Sequence, residues 1–195
     1  MTLQHRMKSL ASALLLVVAA SLAWTPGALA QSKLTPAEKE AERNARFKLA
    51  ADALEKLYQV QPDARKAVEG AVGYGVFDIT SIYAILFVGQ KGKGVLFDNA
   101  SKQPTFMLST RAGTGPGIGK QRVFQIFVFK TKEALGQFVL SGGTGGDITG
   151  TVSTGQDGSV RSFNPSIDIY QIPESGMAVQ ASWGGTVYSV DGDLN

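Results

Sequence analysis

From Val72 onward the apolar residues recur at every second position in short runs, whereas before Gly70 they recur at every third and fourth. That change of period at one glycine confines long helices to the front of the chain and gives the rest to β-structure. The β-rich runs fall at 72–79, 82–88, 94–98, 105–111, 122–130, 147–153, 159–163, 166–172, 177–182 and 186–190, separated by turn signals such as Asp98-Asn99, Asp157-Gly158 and Glu174-Ser175-Gly176. No second long helix is available to carry parallel crossovers. The expected fold class is α+β, with N-terminal helices packed on a highly curved antiparallel β-sheet or a small closed β-barrel.

Thr35-Pro36-Ala37-Glu38 has the parts of a helix start: a capping hydroxyl, proline at the first helical position, and a glutamate three residues past the cap. Phe47, Ala50, Ala51, Leu54, Leu57 and Tyr58 form one apolar stripe, with Lys39, Glu42, Arg43, Arg46 and Glu55 at the other positions. Pro62 restarts a short helix that Gly70 ends, and a second short helix is expected at 131–140, capped by Thr131.

Ahead of these, Arg6 and Lys8, the apolar stretch 10–24 and the small-residue site Ala28-Leu29-Ala30 have the order of a secretory signal peptide. The expected organisation is a signal peptide at 1–30, a helical segment at 31–70 and a β-rich region at 71–195, the last two forming one domain. The expected location is periplasmic or secreted, peripheral to a membrane. The single histidine, His5, lies in the leader and there is no cysteine, so the mature chain has no Ser-His-Asp or Cys-His pairing, no disulfide and no cysteine or histidine zinc site.

Removing Arg6 and Lys8 lowers 19 basic residues to 17, against 16 acidic ones. Their distribution is uneven. Lys91, Lys93, Lys102, Arg111, Lys120, Arg122, Lys130 and Lys132 face Asp98 alone within 91–132, while 133–195 holds 7 acidic residues against Arg161. Either the basic segment attracts an anionic partner, or the two segments neutralise each other across a sheet.

Other motifs fall short of a site. Gly119-Lys120 lacks the first glycine of a phosphate loop, where Thr114 stands, and its hydroxyl, where Gln121 stands, and a strand follows it. Gly113, Gly115, Gly117 and Gly119 alternate, which on a strand strips one face of side chains. The glycine loop at 142–147 (Gly-Gly-Thr-Gly-Gly-Asp) opens like a calcium-binding nonapeptide, but one copy with Thr149 at the apolar position reads as a plain loop. Asp147, Asp157, Asp168, Asp191 and Asp193 read as turn residues, and Phe124, Phe127, Phe129, Phe138, Tyr170 and Trp183 as core. No catalytic residue, metal site or cofactor is expected.

Gly73-Tyr74-Gly75-Val76-Phe77 after a proline-started helix, Phe87-Val88-Gly89-Gln90-Lys91-Gly92-Lys93-Gly94-Val95-Leu96, and the segment from Tyr170 to Gly185 together resemble the SYLF domain. Asp78 stands where that family has proline, and Gly176-Met177-Ala178 lacks the family's aromatic. The resemblance implies a non-enzymatic lipid-binding protein, a family also described as actin regulators, whose members bind phosphoinositides or other anionic phospholipids partly through an amphipathic N-terminal helix. An exported protein meets neither phosphoinositides nor actin, so anionic head groups of a bacterial envelope are the expected ligand. Lys91, Lys93, Arg111, Lys120 and Arg122 are expected to contact phosphates, with Phe47, Leu54 and Leu57 of the first helix at the lipid surface. The alternative is a structural, partner-binding envelope protein; no nucleic-acid partner is expected, and the oligomeric state stays open.

Overall fold

The computed structural model describes residues 34–141, 151–153, 160–162, 164–180 and 183–195. The expected leader and the glycine loop at 142–147 lie outside them. Helix α1 (Pro36–Val60) begins at the expected cap: the Glu38 amide donates to the Thr35 hydroxyl at 3.3 Å, and the Thr35 amide donates to the Glu38 carboxylate at 2.8 Å. A short helix α2 (Ala64–Gly70) follows, and α3 (Lys132–Ser141) lies after the second strand, its Ala134 amide capped by the Thr131 hydroxyl. With an antiparallel four-stranded sheet, the fold is α+β.

The strands are fewer and longer than the sequence runs. The runs at 72–79, 82–88 and 94–98 are one strand, β1 (Gly73–Asp98), and those at 105–111 and 122–130 join through the alternating glycines into β2 (Pro104–Phe129). A small separate pair, β3 (Thr151–Ser153) and β4 (Val160–Ser162), precedes β5 (Ile167–Gln180) and β6 (Trp183–Val190). Glu174, expected in a turn, is instead the extra residue of a β5 irregularity, since Arg122 pairs with Ser175 and Val123 with Pro173.

β1 pairs with β2 along its whole length, from Gly73 opposite Phe129 to Phe97 opposite Pro104. The other edge of β2 is shared end to end: β6 takes Met107–Thr114 and β5 takes Gly117–Phe129. A straight strand of β1's length would reach roughly 85 Å. Its two ends nevertheless meet, the Asn99 amide donating to the Val72 carbonyl at 2.9 Å. Glycine permits this return. A Cβ on Gly94 would lie within 2.7 Å of three Phe77 ring atoms, and one on Gly92 within 2.9 Å of the Asp78 carbonyl.

The far bend of the ribbon, where register slips between Ile85 and Phe87, also changes which residues face inward. Before it the inward positions are odd (Phe77, Ile79, Ser81, Tyr83); after it they are even (Val88, Gly92, Gly94, Leu96). The residue at the slip, Ile85, has φ 59°, a left-handed conformation that a β-branched side chain disfavours.

Each face has its own core. The concave face holds Phe77, Ile79, Leu96, Met107, Phe127, Phe129, Ile167 and Tyr188 with Phe138 of α3. Phe138 lies 4.9 to 5.1 Å, ring centre to ring centre, from Tyr188, Phe129 and Phe127. The other face holds Val76, Val95, Phe106, Phe124, Ile126 and Val128 beneath Ala50, Ala53 and Leu57 of α1 and Val68 of α2. The closed barrel among the sequence expectations is not formed. β5 and β6 occupy the same edge of β2 with no ladder between them among the described residues, and α3 with Phe138 fills the concavity that closure would seal.

Candidate functional site

Beyond the reach of α1 the helix-bearing face of the ribbon continues uncovered. By the alternation just described it carries Ile82, Ala84, Phe87, Gly89, Lys91 and Lys93 of β1 beside Thr114, Pro116, Ile118, Lys120 and Arg122 of β2. Large apolar side chains are open there: Ile85 is 72% exposed, Phe87 and Ile118 70%, Leu86 58% and Ile82 54%. Single exposed apolar residues are ordinary on a protein surface, but five grouped at one bend are not. Ile118 pairs with Ala84 and Lys120 with Ile82, so a cation sits beside the apolar group. From Ile79 to Lys132 the ribbon contains one carboxylate, Asp98, at the end of β1 remote from the bend.

Of the five cations expected at a phosphate site, four share this face and two are already engaged. Lys93 donates to Glu42 of α1 at 2.7 Å, and this bond chiefly holds the Glu42 carboxyl below the usual glutamate range. Arg122 makes a two-pronged pair with Asp78, at 2.7 and 2.8 Å, which pushes its guanidinium value up. Lys91 and Lys120 are exposed and reach no carboxylate among the described residues. Arg111 is not brought to them: it takes an odd position on β2, the parity of Met107 and Phe127, and its Nε is buried. The placement of α1 corrects the other half of the expectation. Leu57 is 0% exposed, and Phe47 and Leu54 pack at the margin of the same core, Phe47 5.3 Å from the Phe106 ring, because the apolar stripe of α1 is spent on the sheet.

Among the described residues, the neutralisation of the basic and acidic segments is realised at one ion pair, Lys130 with Asp168 at 2.6 Å. Two further acidic residues of the C-terminal part pair with α1: Glu174 with Lys56 at 2.5 Å, and Asp191 with Arg46 at 2.6 Å. Arg46 is buried, contrary to the solvent-facing position that spacing assigns it, and also donates to the Gly94 and Met107 carbonyls; Asp191, buried as well, opens the expected turn, accepting from the Asp193 amide at 3.2 Å. An open groove of about 570 Å³ beside this network is lined by Lys48, Leu49, Lys56, Arg122, Phe124 and Glu174. Its cations are committed: Lys48 to Asp52, Lys56 to Glu174 and Arg122 to Asp78, with Lys56 and Arg122 both over the Phe124 ring. No group of three metal-ligating side chains occurs among the described residues. No described helix is long and apolar enough to cross a membrane.

The apolar part of this face was missed from sequence because the run at 82–88 reads only as a strand, and a strand pattern does not say which side chains the fold leaves open. The signal that could have found it is the glycine run on β2, which leaves the inward side of the bend without side chains to pack.

No family model matches the chain. It is similar to Beta cell expansion factor A of Aeromonas veronii, 31% identical over 162 residues. The match covers 83% of this chain and 62% of that protein, so the chain spans less than two thirds of the relative's length.

Proposed function

We propose that the chain is an exported, non-enzymatic protein that binds anionic phospholipid surfaces of a bacterial envelope with the uncovered face of the β1–β2 ribbon. The observation that carries this is the grouping of Lys91 and Lys120, which reach no carboxylate among the described residues, with exposed Ile82, Phe87 and Ile118 on one face of the ribbon. A basic residue close to an anionic membrane contributes about 1 kcal/mol, so the two lysines supply about 2 kcal/mol, or about 30-fold in affinity, sensitive to salt. The resemblance of the glycine-rich segments to the SYLF domain supports the same reading.

On this reading fewer cations touch lipid than the sequence suggests. Lys91 and Lys120 are the phosphate contacts; Lys93 and Arg122 hold the face in place through Glu42 and Asp78. Sedimentation of the mature form beginning at Gln31 with vesicles of phosphatidylglycerol or of phosphatidylcholine, at low and high salt, tests the proposal. Binding to the anionic vesicles that weakens with salt is expected. A stoichiometric complex with an envelope protein and no vesicle binding at either salt would overturn it in favour of the partner-binding alternative.

A further inference from the structure

The bend of the ribbon departs from what folding alone favours in two ways. Ile85 holds a left-handed backbone that glycine or asparagine would adopt at lower cost, and its side chain gains nothing in return, being 72% exposed. Its neighbours Leu86 and Phe87 are open as well, and across the ribbon Ile118 is equally bare. Strained residues persist where surrounding packing over-determines them or where an external contact uses them. Packing is absent here.

We infer that the bend is a membrane-penetrating tip: Ile85, Leu86 and Phe87, with Ile118, enter the apolar layer beneath the head groups, while Lys91 and Lys120 remain at head-group level. This rests on the lipid-surface reading above and adds a depth and an orientation to it. Three observations single out a lipid occupant. The charge complement fits, because along the uncovered face of β1 and β2 the charged side chains nearest the tip are Lys91 and Lys120, and Asp98, the one carboxylate between Ile79 and Lys132, lies at the end of β1 remote from the bend. The layout fits, because Lys120 pairs directly with Ile82, and Lys91 lies four residues, about 13 Å of strand, beyond Phe87. The exposure fits too: Ile85, Leu86, Phe87 and Ile118 stand 58–72% exposed at a strand bend, open to a fluid apolar layer. Basic side chains flanking an apolar element at an interface place their charge among phosphates and their stems along the acyl boundary.

Because the chain has no cysteine, Phe87→Cys gives a single thiol for an environment-sensitive fluorophore, and Ala41→Cys, exposed on α1, gives the comparison. Each labelled mature protein is mixed with vesicles of equal parts phosphatidylglycerol and phosphatidylcholine, doped with lipid carrying a nitroxide either on the head group or along the acyl chain. The expected result is a blue shift at position 87 with stronger quenching by the acyl-chain nitroxide, and neither effect at position 41. The unlabelled variant Ile85→Ser/Leu86→Ser/Phe87→Ser should keep its circular dichroism spectrum and lose at least tenfold in vesicle affinity at high salt, where the lysines contribute least. If the parent sediments with vesicles but the label at 87 stays in water and the serine variant binds as well as the parent, the tip inference falls and the surface reading stands. If the parent does not sediment with vesicles, both fall. If light scattering shows a dimer that the serine substitutions dissociate, the tip joins two copies of the chain and the inference is overturned.

Discussion

Replacing Lys91 and Lys120 by glutamine should weaken binding to anionic vesicles about 30-fold at low salt, and the partition of the cations by the structure is what makes the figure specific. Each unengaged lysine near the surface contributes about 1 kcal/mol, and about 1.4 kcal/mol is tenfold. The matched control is Lys93→Gln with Glu42→Gln, which removes a cation and its anion together and leaves the charge of the face unchanged. Affinity should then stay near that of the parent. Stability should move the other way: the exposed lysines contribute little to folding, whereas the Lys93–Glu42 link between α1 and β1 contributes up to about 1 kcal/mol, or about 2–4 °C in melting temperature. Vesicle sedimentation and thermal melts on the same two proteins give all four numbers. At about 1 M salt, where the screening length falls to about 3 Å, the difference between parent and Lys91→Gln/Lys120→Gln should nearly vanish. Equal losses of affinity in the two double variants would refute the reasoning, since paired and unpaired cations would then be equivalent.

Arg46→Ala strands the buried Asp191 carboxylate and should cost about 3–5 kcal/mol in urea unfolding, with much of the loss recovered when both members are replaced by apolar residues. Leu57→Ala should cost about 2–5 kcal/mol while leaving the vesicle affinity of the folded fraction unchanged, which separates α1's packing from lipid contact. Gly94→Ala drives a methyl into the Phe77 ring and should destabilise by at least about 1–3 kcal/mol, measured by the urea midpoint. The Glu42 carboxyl titrates below its unfolded value, so its stabilisation is present above about pH 4.3 and is lost as pH falls through the depressed folded value; stability should fall more steeply for the parent than for Glu42→Gln on acidification through that window.

Local signals carried the front of the molecule. The Thr35–Glu38 capping box and the Phe47–Leu57 stripe are set by neighbours a turn away; the box appears where the spacing puts it, and the stripe packs through Ala50 and Leu57, with Ala53 buried in place of the exposed Ala51. Arg46 shows the limit of that reasoning: its place on α1 reads as solvent-facing until Asp191, 145 residues further on, closes over it. The β-region was legible as strand but not as two long strands. A glycine such as Gly92 or Gly94 can mark a turn or a close approach, and the Phe77 ring that decides between them arrives from the other end of β1. The candidate site was half legible. Its cations stand out in the charge pattern, yet which of them are taken depends on Glu42 and Asp78, which spacing cannot pair. Its apolar residues read only as strand, because hydrophobicity records what a side chain prefers, not whether the fold has room for it.

The exchange of inward parity at Ile85 makes the bend of β1 a counting device. Between Tyr83 and Val88 the chain tolerates changes in pairs and not singly. One residue deleted or inserted there would rotate the whole returning half of the strand, turning Lys91 and Lys93 to the inward face where Gly92 meets Ile79 and Gly94 meets the Phe77 ring, and turning Leu96 out of that core toward the face where Val95 packs under α1. Two residues inserted would keep every later side chain on its face and only lengthen the projection. The ribbon can therefore be made to reach further without being re-sorted, so its reach and its core can be altered independently, in steps of about 7 Å of strand.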